Sequence, residues 1–252
     1  MSKIGSYETE LVNLSPRQWT VFLKKHSNLP GPQANVDLAQ AFAHIGTLMD
    51  FKKLIRLEPE EAPENTPEEF LTYCGVLGYG QYLAKNHDQG LLKELKGRAN
   101  DPRERIRNAV IMALQNIGKK NMSRLLKYAK SWSEGTYLEQ WAAVVALCEQ
   151  ELLKTQEACR TALDLLDWVT ATIVQNDNDQ KNEEYRVLKQ GLSTRWSVAV
   201  AALPEKGKSM MERWIKENHS VVNQIMSENL KKKRLSDVAP KWTEYWLHEM
   251  EG

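Results

Sequence analysis

The chain has 252 residues, 42% of them apolar and 27% charged, and its formal net charge is +1. That length serves one large domain or a short solenoid, and the composition is ordinary for a folded soluble protein. Residues 1–8 lack the apolar core of a secretory signal and no run of about 18 apolar residues occurs, which excludes a membrane span and points to a cytoplasmic protein.

Helix signals dominate, and no alternating run bounded by hairpin turns is present. Ser15-Pro16 reads as N-cap and first helical residue of a helix through Trp19, Phe22 and Leu23. Leu29-Pro30-Gly31-Pro32 stops it. A second helix is expected over 35–49, with Val36, Leu38, Ala41, Ile45 and Leu48 on its apolar side. The acidic, proline-interrupted stretch 58–65 reads as a loop. In Thr66-Pro67-Glu68-Glu69, Thr66 caps the next helix, Pro67 takes its first position and Glu69 completes a capping box. Gly75, Gly78 and Gly80 fall inside that helix. Glycine is a poor helix former, so these three are expected to admit a neighbouring helix at short range. The proline-rich loops over 29–35 and 58–66 are read as caps of the helical array rather than as part of a small-molecule or peptide pocket around 29–35 and 65–80.

Asp101-Pro102 opens a helix that runs through Arg105-Ile106-Arg107 to Ala113-Leu114 and ends near Gly118. A short helix over 122–130 and another over 138–147 follow. Aligning Ala113-Leu114 with Ala146-Leu147 gives a shift of 33 residues, and a third copy over 195–203 lies a further 56 residues on. The insertion between them holds a helix over 157–174 and a polar loop over 175–182. A helix pair over 210–218 and 220–233 comes next, and a helix over 242–250 caps the end.

Alanines at fixed places in an inner helix let consecutive helix pairs stack closely, each burying the face its neighbour cannot bury alone. Asp101-Pro102 followed by Ile106-Arg107 and Ala113-Leu114 resembles the HEAT repeat, in which an Asp-Pro turn leads into an apolar-Arg…Ala-Leu inner helix. The match is partial at 141–147, where Glu139-Gln140 replaces the apolar-Arg pair, and weaker at 195–203. The first hundred residues do not carry the motif. The whole chain also resembles uncharacterised bacterial HEAT-repeat proteins. The resemblance implies an all-α fold, a HEAT-like α–α superhelix of stacked antiparallel helix pairs with no sheet. Residues 1–98 would form an irregular helical part packed on the array, and 99–252 the repeats with their capping helix. It also implies that Arg107 bonds between repeats, with Arg105 as its exposed neighbour.

No motif for chemistry is complete. Gly207-Lys208-Ser209 ends like a phosphate loop, but Ala202 stands where the first glycine is needed, so no nucleotide is expected. The five histidines lack the spacing of a helical metal pair, Asp177-Asn178-Asp179 lacks the glycine of a calcium loop, and no G-x-S-x-G elbow occurs. Cys74, Cys148 and Cys159 are odd in number and far apart, which reads as small buried hydrophobes in a reducing compartment. The expectation is a non-enzymatic binding module with no metal or cofactor.

Charge is unevenly spread. Residues 93–130 hold eleven basic and three acidic side chains, and residues 134–184 hold eleven acidic and three basic. Such polarity suits a charged partner. The candidate binding surface joins Arg103, Arg105, Lys119, Lys120 and Arg124 with Trp141 and Trp196, which fall at neighbouring places in the aligned inner helices. A protein is the expected partner. The alternative is nucleic acid, since a basic concave face can track a phosphate backbone. In architecture the chain is similar to the HEAT-like DNA alkylation repair glycosylases. Their paired tryptophans with an aspartate one turn on are not found here, because Ser133-Glu134-Gly135-Thr136 follows Trp132. The run Lys231-Lys232-Lys233-Arg234 is read as the solvated end of a late helix.

Overall fold

The computed structural model describes residues 2–251 and is all-helical, with fifteen α-helices and no strand among those residues. No described helix is long and apolar enough to cross a membrane. The chain divides into two compact units, residues 1–121 and 122–252.

The first unit comprises α1 (Lys3–Val12), α2 (Pro16–Lys25), α3 (Val36–Ile45), α4 (Leu48–Ile55), α5 (Pro67–Lys85), α6 (Gln89–Arg98) and α7 (Glu104–Lys120). Its spine is α5, which is buried on nearly every side from Glu69 to Ala84. The other helices except α1 pack on it, and α1 packs on α3. Glycines make this possible. A Cβ at Gly80 would sit 2.6 Å from the Ala113 Cα of α7, and one at Gly75 would run into the Ile55 backbone of α4. Close approach of three helices therefore outweighs the roughly 1 kcal/mol helix penalty that each glycine carries.

The helix expected over 35–49 is two helices. Gly46 ends α3, and Thr47 caps α4 in a capping box with Asp50. The helices α1 and α6 carry weak apolar signals and escape the sequence reading; α1 buries only Leu11, and α6 only Leu91 and Leu95.

Two arginines of the expected binding surface work inside this unit. Arg103 is only 2% exposed. Its Nε and Nη2 grip the two oxygens of Asp101 at 2.8 and 2.7 Å. It also donates to the carbonyls of Ala62, at 2.8 Å, and Leu57, at 3.2 Å. Asp101 accepts a further bond from Arg98 at 3.1 Å, and Arg98 in turn clasps Glu58. The loop between α4 and α5 is mostly exposed, and the buried guanidinium anchors it by satisfying two carbonyls that no helix satisfies.

Arg105 corrects a second expectation, for its side chain is only 19% exposed. It donates to Glu69 at 2.7 Å and to the Gly31 carbonyl at 3.0 Å. Glu69 does not close the capping box expected of it. Thr66 caps α5, while the Glu69 carboxylate accepts the Asn65 N–H at 2.8 Å and the Arg105 guanidinium. Asn65 accepts the Gly31 N–H at 2.9 Å, which ties the loop after α2 to the loop before α5. Arg107 donates to the carbonyls of Asp101 and Pro102, both at 2.8 Å.

The second unit comprises α8 (Met122–Trp132), α9 (Tyr137–Leu147), α10 (Gln156–Gln175), α11 (Glu183–Ala202), α12 (Pro204–Lys216), α13 (Ser220–Leu230), α14 (Lys233–Val238) and α15 (Pro240–Glu251). Short links fold successive helices together, so that α8 packs on α9, α10 on α11 and α12 on α13. The pairs then meet in two rows: α9, α11 and α13 touch in that order, as do α8, α10 and α12. The segment over 195–203 is the second half of α11. The start of α12 moves forward to Pro204 because that proline suits a first helical position. The basic run does not end a helix. Leu230 closes α13, and Lys232 leads into α14, whose Leu235 is wholly buried.

Asn229, wholly buried on α13, ties that helix to α11. Its Oδ1 accepts the Ser197 N–H at 2.8 Å, and its Nδ2 donates to the carbonyls of Leu192 and Ile225, both at 2.8 Å. One amide thus holds a donor and an acceptor of the α11 backbone. Asn229→Leu, close in volume but unable to make these bonds, should cost about 2–4 kcal/mol. Urea denaturation measures it, and a loss below about 0.5 kcal/mol would contradict the role given to Asn229.

A second outcome concerns acid. Burial pushes the Asp101 carboxyl up, but the bonds from the Arg103 side chain and N–H outweigh it and hold the group below its ordinary value. The hydrogen bond from Arg98 holds Glu58 low as well. A depressed carboxyl contributes stability that is full above about pH 4 and is lost as pH falls through the depressed value. Asp101→Asn strands a buried guanidinium, at a cost of about 3–5 kcal/mol at pH 7. The gap between this variant and the native chain should narrow in denaturation curves taken below about pH 3.

Candidate functional site

The structure disperses the residues expected to form one surface. Arg103 and Arg105 are committed to the loops of the first unit, as described. Lys119 and Lys120 are exposed in the last turn of α7, where cations suit the helix dipole. Arg124 is half-buried on α8. Trp141 is half-buried and lies over Gly191 of α11, where an added Cβ would come within 2.7 Å of the indole Cδ1. Trp196 has 0% exposure. Its indole N–H donates to the Thr170 hydroxyl at 3.0 Å, and that hydroxyl donates to the Leu166 carbonyl at 2.7 Å. Trp196 is therefore part of the α10–α11 core, and the two tryptophans do not line a common groove.

A different tryptophan faces solvent. On α10, Thr161, Asp164, Leu165 and Trp168 recur at intervals of three and four residues and share one face. They oppose Ala129 and Lys130 of α8, with Ser133 and Glu134 just beyond its end, around an open groove of about 340 Å³. Ala129 and Leu165 are buried and give it an apolar floor. Trp168 is 58% exposed, the only tryptophan among the large apolar side chains left exposed in the described residues. It is nonetheless held, because its indole N–H donates to the Ser133 carbonyl at 3.3 Å.

The turn that carries Trp168 is braced from α12. Lys206 pairs with Asp164 at 2.6 Å, Arg213 pairs with Asp167, and the Trp214 indole N–H donates to Asp167 at 2.7 Å. The rim therefore presents Lys130 and Glu134 beside a fixed aromatic edge. This suits recognition of an amphipathic segment, with one apolar side chain over the floor and polar groups at the rim.

The groove has no activated nucleophile. The Ser133 hydroxyl spends its proton on the Lys130 carbonyl at 2.8 Å. Burial pushes the Cys148 thiol up to about 12 and raises those of Cys74 and Cys159, so all three stay protonated at neutral pH. Gly207 lies inside α12, against the Val200 backbone at 2.7 Å for an added Cβ, so the Gly-Lys-Ser run is helix and not loop. Among the described residues no group of three or more metal-ligating side chains converges.

The sequence held a signal for Trp168. The buried residues of α10 include Ala158, Cys159, Ala162, Leu165, Leu166, Val169 and Ile173. Trp168 sits out of phase with that stripe, next to Asp167. A large aromatic off the apolar face is more informative than one on it. In comparisons with known proteins, no family model, no curated sequence and no solved structure matches this chain.

Proposed function

We propose that the chain is a HEAT-like, non-enzymatic binding module, and that it takes a segment of a protein partner into the groove between α8 and α10. The observation that carries the reading is Trp168, a large apolar side chain left in solvent yet fixed by a hydrogen bond at the edge of an apolar-floored groove. Exposed, rigid tryptophans supply much of the energy in protein interfaces. The HEAT-like part of the reading draws on the Asp101-Pro102 motif and on the two rows of helices in the second unit, in which each pair buries what its neighbour leaves open. The nucleic-acid alternative draws on the basic stretch, of which Arg103 and Arg105 are spent on internal carboxylates and carbonyls.

Trp168→Ala tests the reading. The ring is mostly exposed, so the variant should melt within about 1 kcal/mol of the native chain. Partner affinity should fall by about 2 kcal/mol or more, roughly thirtyfold in Kd. The partner is first captured by the native chain from a lysate of its source cells, then titrated against both forms. Equal affinity of the two forms would sink the groove. Labelled DNA that binds both forms equally, and more weakly as salt rises, would turn the reading to nucleic acid.

A further inference from the structure

A second cavity, on the other row of helices, has a different chemistry. It is open, about 610 Å³, and lies where α11 faces the end of α13 and the start of α14. Its lining includes Arg186 and Lys189 of α11 and Lys232 at the joint between α13 and α14. The spacing of 186, 189 and 193 sets one face of α11 toward it. Lys189 and Lys232 are half-buried, and the nearby Glu228 carboxylate feels the charge of Lys232. Lys189 donates instead to the neutral Gln224 Oε1 at 2.5 Å. Arg186 pairs with the exposed Glu183 at 3.3 Å, a contact worth little in water.

One carboxylate, Glu228, also lines the cavity. It is already engaged by Lys231 at 3.0 Å, and this hydrogen bond holds its pKa below the ordinary value. The hydroxyls of Ser193 and Thr194 give their protons to the carbonyls of Lys189 and Gly191 at 2.9 and 3.0 Å, so the cavity's charged donors are its three cations, beside the amides of Gln180 and Gln190. Against the one carboxylate of Glu228, the two lysines and the arginine leave a surplus of positive charge around this space, which a bound anion would offset.

We propose that this cavity binds a phosphomonoester dianion. The ligand class follows from compactness. The three cations surround one space on two neighbouring stretches of helix and do not run along a track, so they match a single group of charge near −2. A nucleic-acid backbone needs cations repeated along its length. The dianion has two sources, a free phosphate compound or a phosphorylated side chain of a protein. The site is separate from the groove at Trp168, and neither depends on the other.

The test is an NMR titration of the ¹⁵N-labelled full chain with inorganic phosphate and, separately, with a phosphoserine peptide and its unphosphorylated form, all at fixed ionic strength. Saturable shifts confined to the amides around Lys189, Ser193 and Lys232 are expected. K189Q/K232Q should weaken binding by about tenfold or more, with an unchanged melting curve. K233Q, whose lysine pairs with Asp237 outside the cavity, should bind like the native chain. A phosphopeptide that binds more tightly than phosphate supports the protein source, and equal affinity supports the free compound. Shifts reproduced by chloride, binding undiminished in K189Q/K232Q, or a single-stranded oligonucleotide that binds while phosphate does not would each overturn the proposal.

Discussion

A buried guanidinium decides what the first unit can look like. The loop from α4 to α5 is mostly exposed, and its carbonyls at Leu57 and Ala62 make no backbone bond within a helix, although Thr72 of α5 also donates to Leu57. Arg103 supplies the donors, and Asp101 supplies the charge that lets Arg103 stay buried. Removing water from two ions costs several kcal/mol each, and the pair is tolerated because almost every donor and acceptor is matched. With that loop held down, α5 can be covered from several sides, and its glycines let α4 and α7 close on it. In the second unit the neutral amide of Asn229 has the comparable task, holding α13 to a donor and an acceptor of α11.

Much of the helix order was legible because helix ends carry local chemistry. Ser15-Pro16 and Thr66-Pro67 start helices where a cap followed by proline says they should. The three glycines of α5 do admit neighbours. Failures came where local and longer-range signals compete. Gly46-Thr47 is a full stop and restart inside a stretch whose apolar spacing continues across it, so periodicity alone joined two helices. Glu69 obeys the capping-box spacing, yet the Asn65 N–H just before the cap, and Arg105, brought near by the fold, claim its carboxylate.

The binding surface was less legible than the fold, for a definite reason. Repeat alignment places residues at corresponding positions along helices, but it does not say which side of the helix those positions face. Trp141 and Trp196 fall one place apart in the alignment, and one lies against α11 while the other points into the α10 contact. Trp168 has no counterpart in the alignment. Its place is told only by its phase against the buried stripe of α10, a comparison that needs the whole helix rather than the motif.

The same reasoning changes what the charge asymmetry means. A chain with basic and acidic blocks invites a charged partner, but charges of both blocks here are already paired within their own unit. The acidic stretch at 58–69 meets Arg98 and Arg105. The carboxylates of α10 meet Lys206 and Arg213, one helix pair further on. Segregation along the chain is what intramolecular pairing between helices requires, since charges that pair across a helix contact lie tens of residues apart in sequence. A block count therefore overstates the field that a partner would meet. The informative charges are those left over after the internal pairs are drawn. Lys189 and Lys232 belong to neither of the blocks that dominate the sequence. Their weight comes from a shared cavity that only the packing of α11, α13 and α14 creates.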